Sequence, residues 1–226
     1  IMNLGESPLS LEILFSLLFA AGALVFTVMQ WQKIATRQAR LVVWAVTALV
    51  GLALIFAMAQ IYMLPTQPAW NTVATPLTFY TTSLLLGVLA VGTVLVATYA
   101  LVHSKDKKCA EIQCSLMRSA LKGLGLAAVV LVGVQMIAFP LYLTYLASGS
   151  DSAQAIAETL QNEYTALIVL RLALVFVGAG VFGAVIYQRA TQSERSLALL
   201  AYSAFALVLI AEVIGRFLFY VSEVDR

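Results

Sequence analysis

The sequence predicts an all-α membrane protein, a bundle of six transmembrane helices forming one domain over residues 1–226. Three observations predict it. Hydrophobic residues make up 62% of the chain and charged residues 11%, with a mean hydropathy of +0.96, whereas a soluble domain is about 25% charged. Six runs are apolar over about 18 residues or more, long enough for a helix to cross a bilayer. None of them alternates apolar with polar residues over about ten positions, as the strands of a membrane barrel do.

Taken in order, the first span (11–31) carries Glu12 at its opening, where a carboxylate favours the positive end of the helix. The second (41–64) follows Lys33, Arg37 and Arg40 and ends around Gln60 and Tyr62. The connection 62–76 contains Pro65, Pro68 and Pro76, which fix φ and exclude regular ladders. It reads as a stiff surface loop, either a plain connector or a floor on which a partner docks through Pro65, Pro68, Trp70 and Asn71. The third span (77–102) leads into the longest basic linker. The fourth (121–147) holds Gln135 and Pro140, and 148–164 is a second connection. The fifth span (165–188) contains Arg171. The sixth (196–221) contains Glu212 and Arg216, one turn apart on one face.

Lys33, Arg37, Arg40, Lys105, Lys107, Lys108, Arg118, Lys122, Arg189 and Arg195 fall in the linkers after spans one, three and five. The connections 62–76 and 148–164 have no Lys or Arg. Basic loops resist translocation, so the basic linkers are expected in the cytoplasm and both given ends outside. Trp31, Trp70, Tyr62, Tyr80, Tyr99, Tyr142, Tyr145, Tyr187 and Tyr220 fall near span ends, as an interfacial aromatic belt requires. The chain opens Ile1-Met2-Asn3 and runs directly into a full-length span without a cleavable leader pattern, which predicts a natural beginning upstream of Ile1.

Once topology accounts for the basic residues, the net charge of +2 gives nucleic-acid binding no support. Cys109 and Cys114 sit in a linker expected to face the reducing cytoplasm, so free thiols are expected. With His103 as the one histidine, four ligands for a zinc site cannot be gathered and a membrane haem lacks its usual axial ligands. No metal site is expected.

An ionisable group at the centre of a span costs about 2.5–3.5 kcal/mol on insertion scales. Glu12, Arg171, Glu212 and Arg216 all fall in the outer halves of their spans. Arg171, Glu212 and Arg216 could neutralise one another as an ion-pair lock between the last two helices, or support a pocket. Glu12 could face lipid headgroups, or accept a proton from a quinol, since quinol oxidation releases two protons and a desolvated carboxylate suits one of them. Gln60 and Gln135 could bond between helices or face a headgroup, with Gln135 read as structural.

Four segments resemble the membrane anchor subunit of the dimethyl sulfoxide reductase family. They are Leu9-Ser10-Leu11-Glu12-Ile13, the 60–79 loop beginning Gln60-Ile61-Tyr62-Met63-Leu64-Pro65, the stretch Asn162-Glu163-Tyr164-Thr165-Ala166-Leu167 followed by Arg171, and 211–220 with Glu212, Gly215 and Arg216. The resemblance implies a subunit that binds no redox cofactor through its own side chains and oxidises menaquinol near the outer face of a bacterial inner membrane. It further implies an iron-sulfur partner subunit, which feeds a molybdopterin catalytic subunit. Glu12 matches the family's acidic residue at the quinol pocket, Arg171 its basic position on the next-to-last helix, and Glu212, Gly215 and Arg216 its last-helix motif. Two departures stand out: the family usually has eight helices, with a His-Leu-Gly stretch closing the second, and it often has a basic residue before the Tyr of the outer loop where this chain has Gln60. A secondary transporter and a purely structural anchor are the alternatives, although transporters place polar groups at the midplane.

Overall fold

The computed structural model describes residues 8–103, 111–181, 183–184 and 194–222. The expectations for Cys109, Lys105, Lys107, Lys108, Arg189 and Tyr187, and for the side chains of Tyr99, His103, Cys114, Arg118 and Arg195, fall outside them.

Among the described residues the regular elements are helices: α1 (Pro8–Trp31), α2 (Arg37–Tyr62), α3 (Ala74–His103), α4 (Glu111–Ala147), α5 (Asp151–Asn162), α6 (Thr165–Val175) with a π-helical continuation (Phe176–Val181), and α7 (Glu194–Val221). With no water in a hydrocarbon core, a helix is the element that satisfies its own backbone hydrogen bonds. By length and composition α1, α2, α3, α4 and α7 can each cross a membrane, and α5 with α6 and its continuation, bent by 72°, bring the number to six when the pair is counted as one broken span.

The connection read at 148–164 is thus largely helical. Ser150 caps α5 by accepting a hydrogen bond from the Ala153 amide at 3.4 Å. The buried face of α5 is Ala153, Ala157 and Leu160, so small a stripe that a search for long apolar runs passes over it.

The chain forms two compact units, residues 1–80 and 81–226. In the first, α1 and α2 make an antiparallel hairpin through a short turn in which Lys33 and Ala35 take left-handed φ values of 53° and 70°. Thr36 then caps α2, its hydroxyl accepting from the Ala39 amide at 3.3 Å. The two helices meet where a glycine on each admits the other's side chain. A Cβ on Gly22 would stand 2.6 Å from Thr47 Oγ1, and one on Gly51 would stand 2.9 Å from the Phe19 ring. The outward faces of α1 and α2 carry exposed Leu17, Leu24, Leu41, Val42 and Leu49, suited to lipid.

The second unit packs α3, α4, α6 and α7 around Leu85, Leu89, Ala128, Val132, Val175, Ala179, Ala204, Val208 and Ala211. The buried positions of α7, Ala201, Ala204, Val208 and Ala211, recur at three- and four-residue spacing and are small, which lets membrane helices approach closely. On α6 burial returns every fourth residue at Arg171, Val175 and Ala179. Four-residue steps drift about 40° in an α-helix, and the wider π turns take up part of that drift.

Candidate functional site

Glu12 lies on α1 and is half-buried. It stands seven residues, close to two turns, before Phe19, so it shares the face that meets α2. No hydrogen bond or ion pair joins it to another described residue. A carboxylate is therefore held on the face of α1 that meets α2, with its oxygens uncommitted among the described residues.

The loop that follows α2 belongs to the same unit. It is a succession of turns, with amides of Met63, Leu64, Gln67, Trp70, Asn71, Thr72 and Thr75 donating to carbonyls two to four residues back. Its centre is aromatic. Trp70, 6% exposed, meets Tyr62 edge-on at 5.7 Å, and Tyr62 lies 5.5 Å from the Phe79 ring. The Thr75 hydroxyl ties the loop by donating to the Trp70 carbonyl at 2.6 Å. The Thr72 hydroxyl is buried without a hydrogen-bond partner. Gln60 is half-buried and donates to the Met63 sulfur at 3.4 Å. Trp70 thus acts inside the loop, while Leu64, Pro65, Thr66, Asn71 and Val73 are the residues it exposes.

Arg171, Glu212 and Arg216 lie in the second unit, and the first two come together as expected. Glu212 is 4% exposed and Arg171 7%, with a guanidinium nitrogen 3.7 Å from Glu212 Oε2. Two further residues complete the cluster. Thr82 on α3 donates to Glu212 Oε2 at 2.8 Å, and Gln135 on α4 donates to Oε1 at 2.9 Å. Four helices therefore converge on one carboxylate. Measured from Ala74, Ala147, Thr165 and Val221, the four side chains lie about 12, 18, 9 and 14 Å along their helices at 1.5 Å per residue. They form one polar layer nearer one end of the spans.

Gly215 makes room for it. A Cβ there would stand 2.5 Å from Arg171 Nε, and the guanidinium also lies 5.7 Å from the centre of the Phe139 ring, within cation–π range. Arg171 Nε itself has no hydrogen-bond partner. Arg216, half-buried, sits one turn from Glu212 toward Val221. Thr82 has no signal in the sequence because a threonine inside a span carries no charge to mark it. Gln135 is visible there as an isolated amide. Among the described residues no group of three His, Cys, Asp or Glu side chains is placed to hold a metal ion.

Spans of this length, with a buried polar layer toward one end of α3, α4, α6 and α7, define a polytopic helical membrane protein. Residues 1–221 match the family described as DMSO reductase anchor subunit (DmsC), and the chain belongs to that family. It is 29% identical over 225 residues to the C subunit of the anaerobic dimethyl sulfoxide reductase of Haemophilus influenzae, an alignment covering 96% of this chain and 68% of that subunit. No solved structure matches it.

Proposed function

We propose that this chain is the quinol-oxidising subunit of a membrane-bound molybdopterin reductase of the dimethyl sulfoxide reductase type. It sits in the bacterial cytoplasmic membrane with the 62–76 loop on the outer side. Menaquinol binds beside Glu12 and gives up two electrons and two protons. Glu12 accepts one proton from a ring hydroxyl and the other leaves to the outer aqueous phase. The electrons pass to an iron-sulfur subunit docked on the outer loops and from there to the molybdopterin subunit that reduces the terminal acceptor. Tyr62 and Gln60 line or support the site, and Arg171, Glu212 and Arg216 hold together the helices of the second unit. Pro65, Pro68 and Asn71 present the docking surface, with Trp70 as its internal pillar. The chain itself binds no iron, haem or molybdopterin through its side chains.

The observation that carries this reading is the family match over residues 1–221, and Glu12 gives it chemistry. A half-buried carboxylate with uncommitted oxygens can take a proton from a bound hydroxyl. The fixed loop favours docking because a stiff segment loses little entropy on association.

The test uses membranes carrying the assembled complex and compares wild type with Glu12→Gln. Wild type is expected to reduce the terminal acceptor with a naphthoquinol donor, and Glu12→Gln to lose about 100-fold or more in turnover, the span of general-base effects. Equal quinol turnover by both would remove Glu12 from the mechanism. Wild-type membranes that hold no iron-sulfur partner would leave a passive membrane protein instead.

A further inference from the structure

We propose that Met58 is a specificity-determining residue of the quinol site, the side chain against which the ring lies opposite Glu12; this rests on the reading of Glu12 as the proton acceptor. The register of the α1/α2 hairpin is fixed at its middle, where Phe19 meets Gly51 and Gly22 meets Thr47. Glu12 lies seven residues before Phe19 on one arm of that hairpin and Met58 lies seven residues after Gly51 on the other. Seven residues are close to two full turns, so both side chains return to the faces that meet. They stand across the seam from each other, about 10 Å along the axes from the glycine contacts. Tyr62 is one further turn along the same face of α2, and Phe15 is one turn inward from Glu12 on α1.

The character of the seam changes along its length. At its middle bare glycine backbone brings the helices together. At this end neither helix has a glycine, from Pro8 to Ala21 on α1 or from Leu52 to Tyr62 on α2, so side chains and not bare backbone set the spacing there. The seam is bounded there by Glu12, Phe15, Met58 and Tyr62. Met58 is 37% exposed and the other three are half-buried, so each of the four keeps surface that a bound ring can meet. Those four groups match a quinol: a carboxylate for a ring hydroxyl, apolar and aromatic surface for the ring, and a thioether between them. An unbranched, polarisable methionine adapts to a flat aromatic partner and favours sulfur at its edge. It also leaves width for a bicyclic naphthoquinol, where a larger aromatic side chain would narrow the seam.

The experiment is steady-state quinol oxidation by the assembled complex in membranes, with soluble naphthoquinol and benzoquinol donors. The variants are Met58→Leu, Met58→Ala, Met58→Trp and, in parallel, Glu12→Gln. Met58→Trp is expected to raise KM for the naphthoquinol about tenfold and for the benzoquinol less, with kcat within about twofold, since overfilling acts on binding. Met58→Ala should weaken both donors, and Met58→Leu, which keeps the volume, should have the smallest effect. Membrane content of the protein and retention of the iron-sulfur partner should not change. If Met58→Trp and Met58→Ala both keep the wild-type KM for both donors while Glu12→Gln stops turnover, Met58 is no part of the site and the role of Glu12 stands. If Glu12→Gln turns over as wild type does, the site itself falls, and Met58 with it.

Discussion

Replacing Glu212 by Gln removes the negative charge from the four-helix junction and leaves the Arg171 guanidinium in the apolar interior. The two groups are 3.7 Å apart, for which Coulomb attraction at an effective dielectric of 20 is about 4.5 kcal/mol. Breaking a buried pair by removing one partner costs about 3–5 kcal/mol in measured cases, and the agreement sets the expectation for Glu212→Gln. The amide keeps one oxygen as an acceptor for Gln135 or Thr82, so most of the loss is the pair and not the hydrogen bonds. Arg171→Met leaves the carboxylate with two donors and should cost less, about 2–3 kcal/mol. The double variant removes both charges and should lie within about 1 kcal/mol of wild type. The assay is reversible denaturation of the detergent-solubilised protein followed by circular dichroism, read as a double-mutant cycle. Additive single effects, each under about 1 kcal/mol, would show that the pair does not hold the helices together.

Other perturbations test separate links. Gly215→Ala places a methyl where a Cβ would stand 2.5 Å from Arg171 Nε; it should cost about 1–3 kcal/mol as an overpacking change and almost nothing in an Arg171→Met background, measured by the same denaturation. Thr82→Val removes the 2.8 Å bond to Glu212 and should cost about 1.5–3 kcal/mol as a bond to a charged group, with Thr82→Ser recovering most of it. Ala35→Gly relieves a φ of 70° and should raise the melting point through a gain of about 1 kcal/mol. Trp70→Ala empties the centre of the 62–76 loop and should expose it to added protease in the detergent-solubilised protein, while truncation of exposed Val73 should not.

The membrane class is legible in the sequence because apolar runs of this length have few other uses, and α1, α2, α3, α4 and α7 begin and end within ten residues of where those runs place them. Helix ends extend beyond the apolar cores because polar residues such as Arg37 and Glu111 continue a helix into the interface. What the sequence hides is amphipathic or under-wound. The α5 helix spaces Ala153, Ile156, Ala157 and Leu160 at helical intervals, but its apolar residues are separated by polar ones, so it carries no continuous apolar run and a reading tuned to membrane-length runs passes over it. The π-helical stretch Phe176–Val181 has no proline or other local signal that distinguishes FVGAGV from an ordinary helical turn in the sequence. In the polar cluster the charges announce Arg171 and Glu212 and an isolated amide marks Gln135, whereas Thr82 is defined only by where four helices cross. A tryptophan in a proline-rich loop suggests an outward-facing anchor, but burial against Tyr62 uses Trp70 first.

The two membrane carboxylates differ most in what surrounds their oxygens. Glu212 receives Thr82, Gln135 and Arg171, so each oxygen is already committed to a donor and the group serves the packing of helices. Glu12 is half-buried and has no partner among the described residues. A carboxylate can pass a proton only if an oxygen is free to meet the incoming hydroxyl, which divides labour between the two on geometry alone. Glu12→Gln should therefore leave stability within about 0.5 kcal/mol while quinol turnover falls. Glu212→Gln should lower stability steeply, and the protein that remains folded should turn over quinol at close to the wild-type rate per molecule. Loss of turnover in fully folded Glu212→Gln would move the proton chemistry to the second unit.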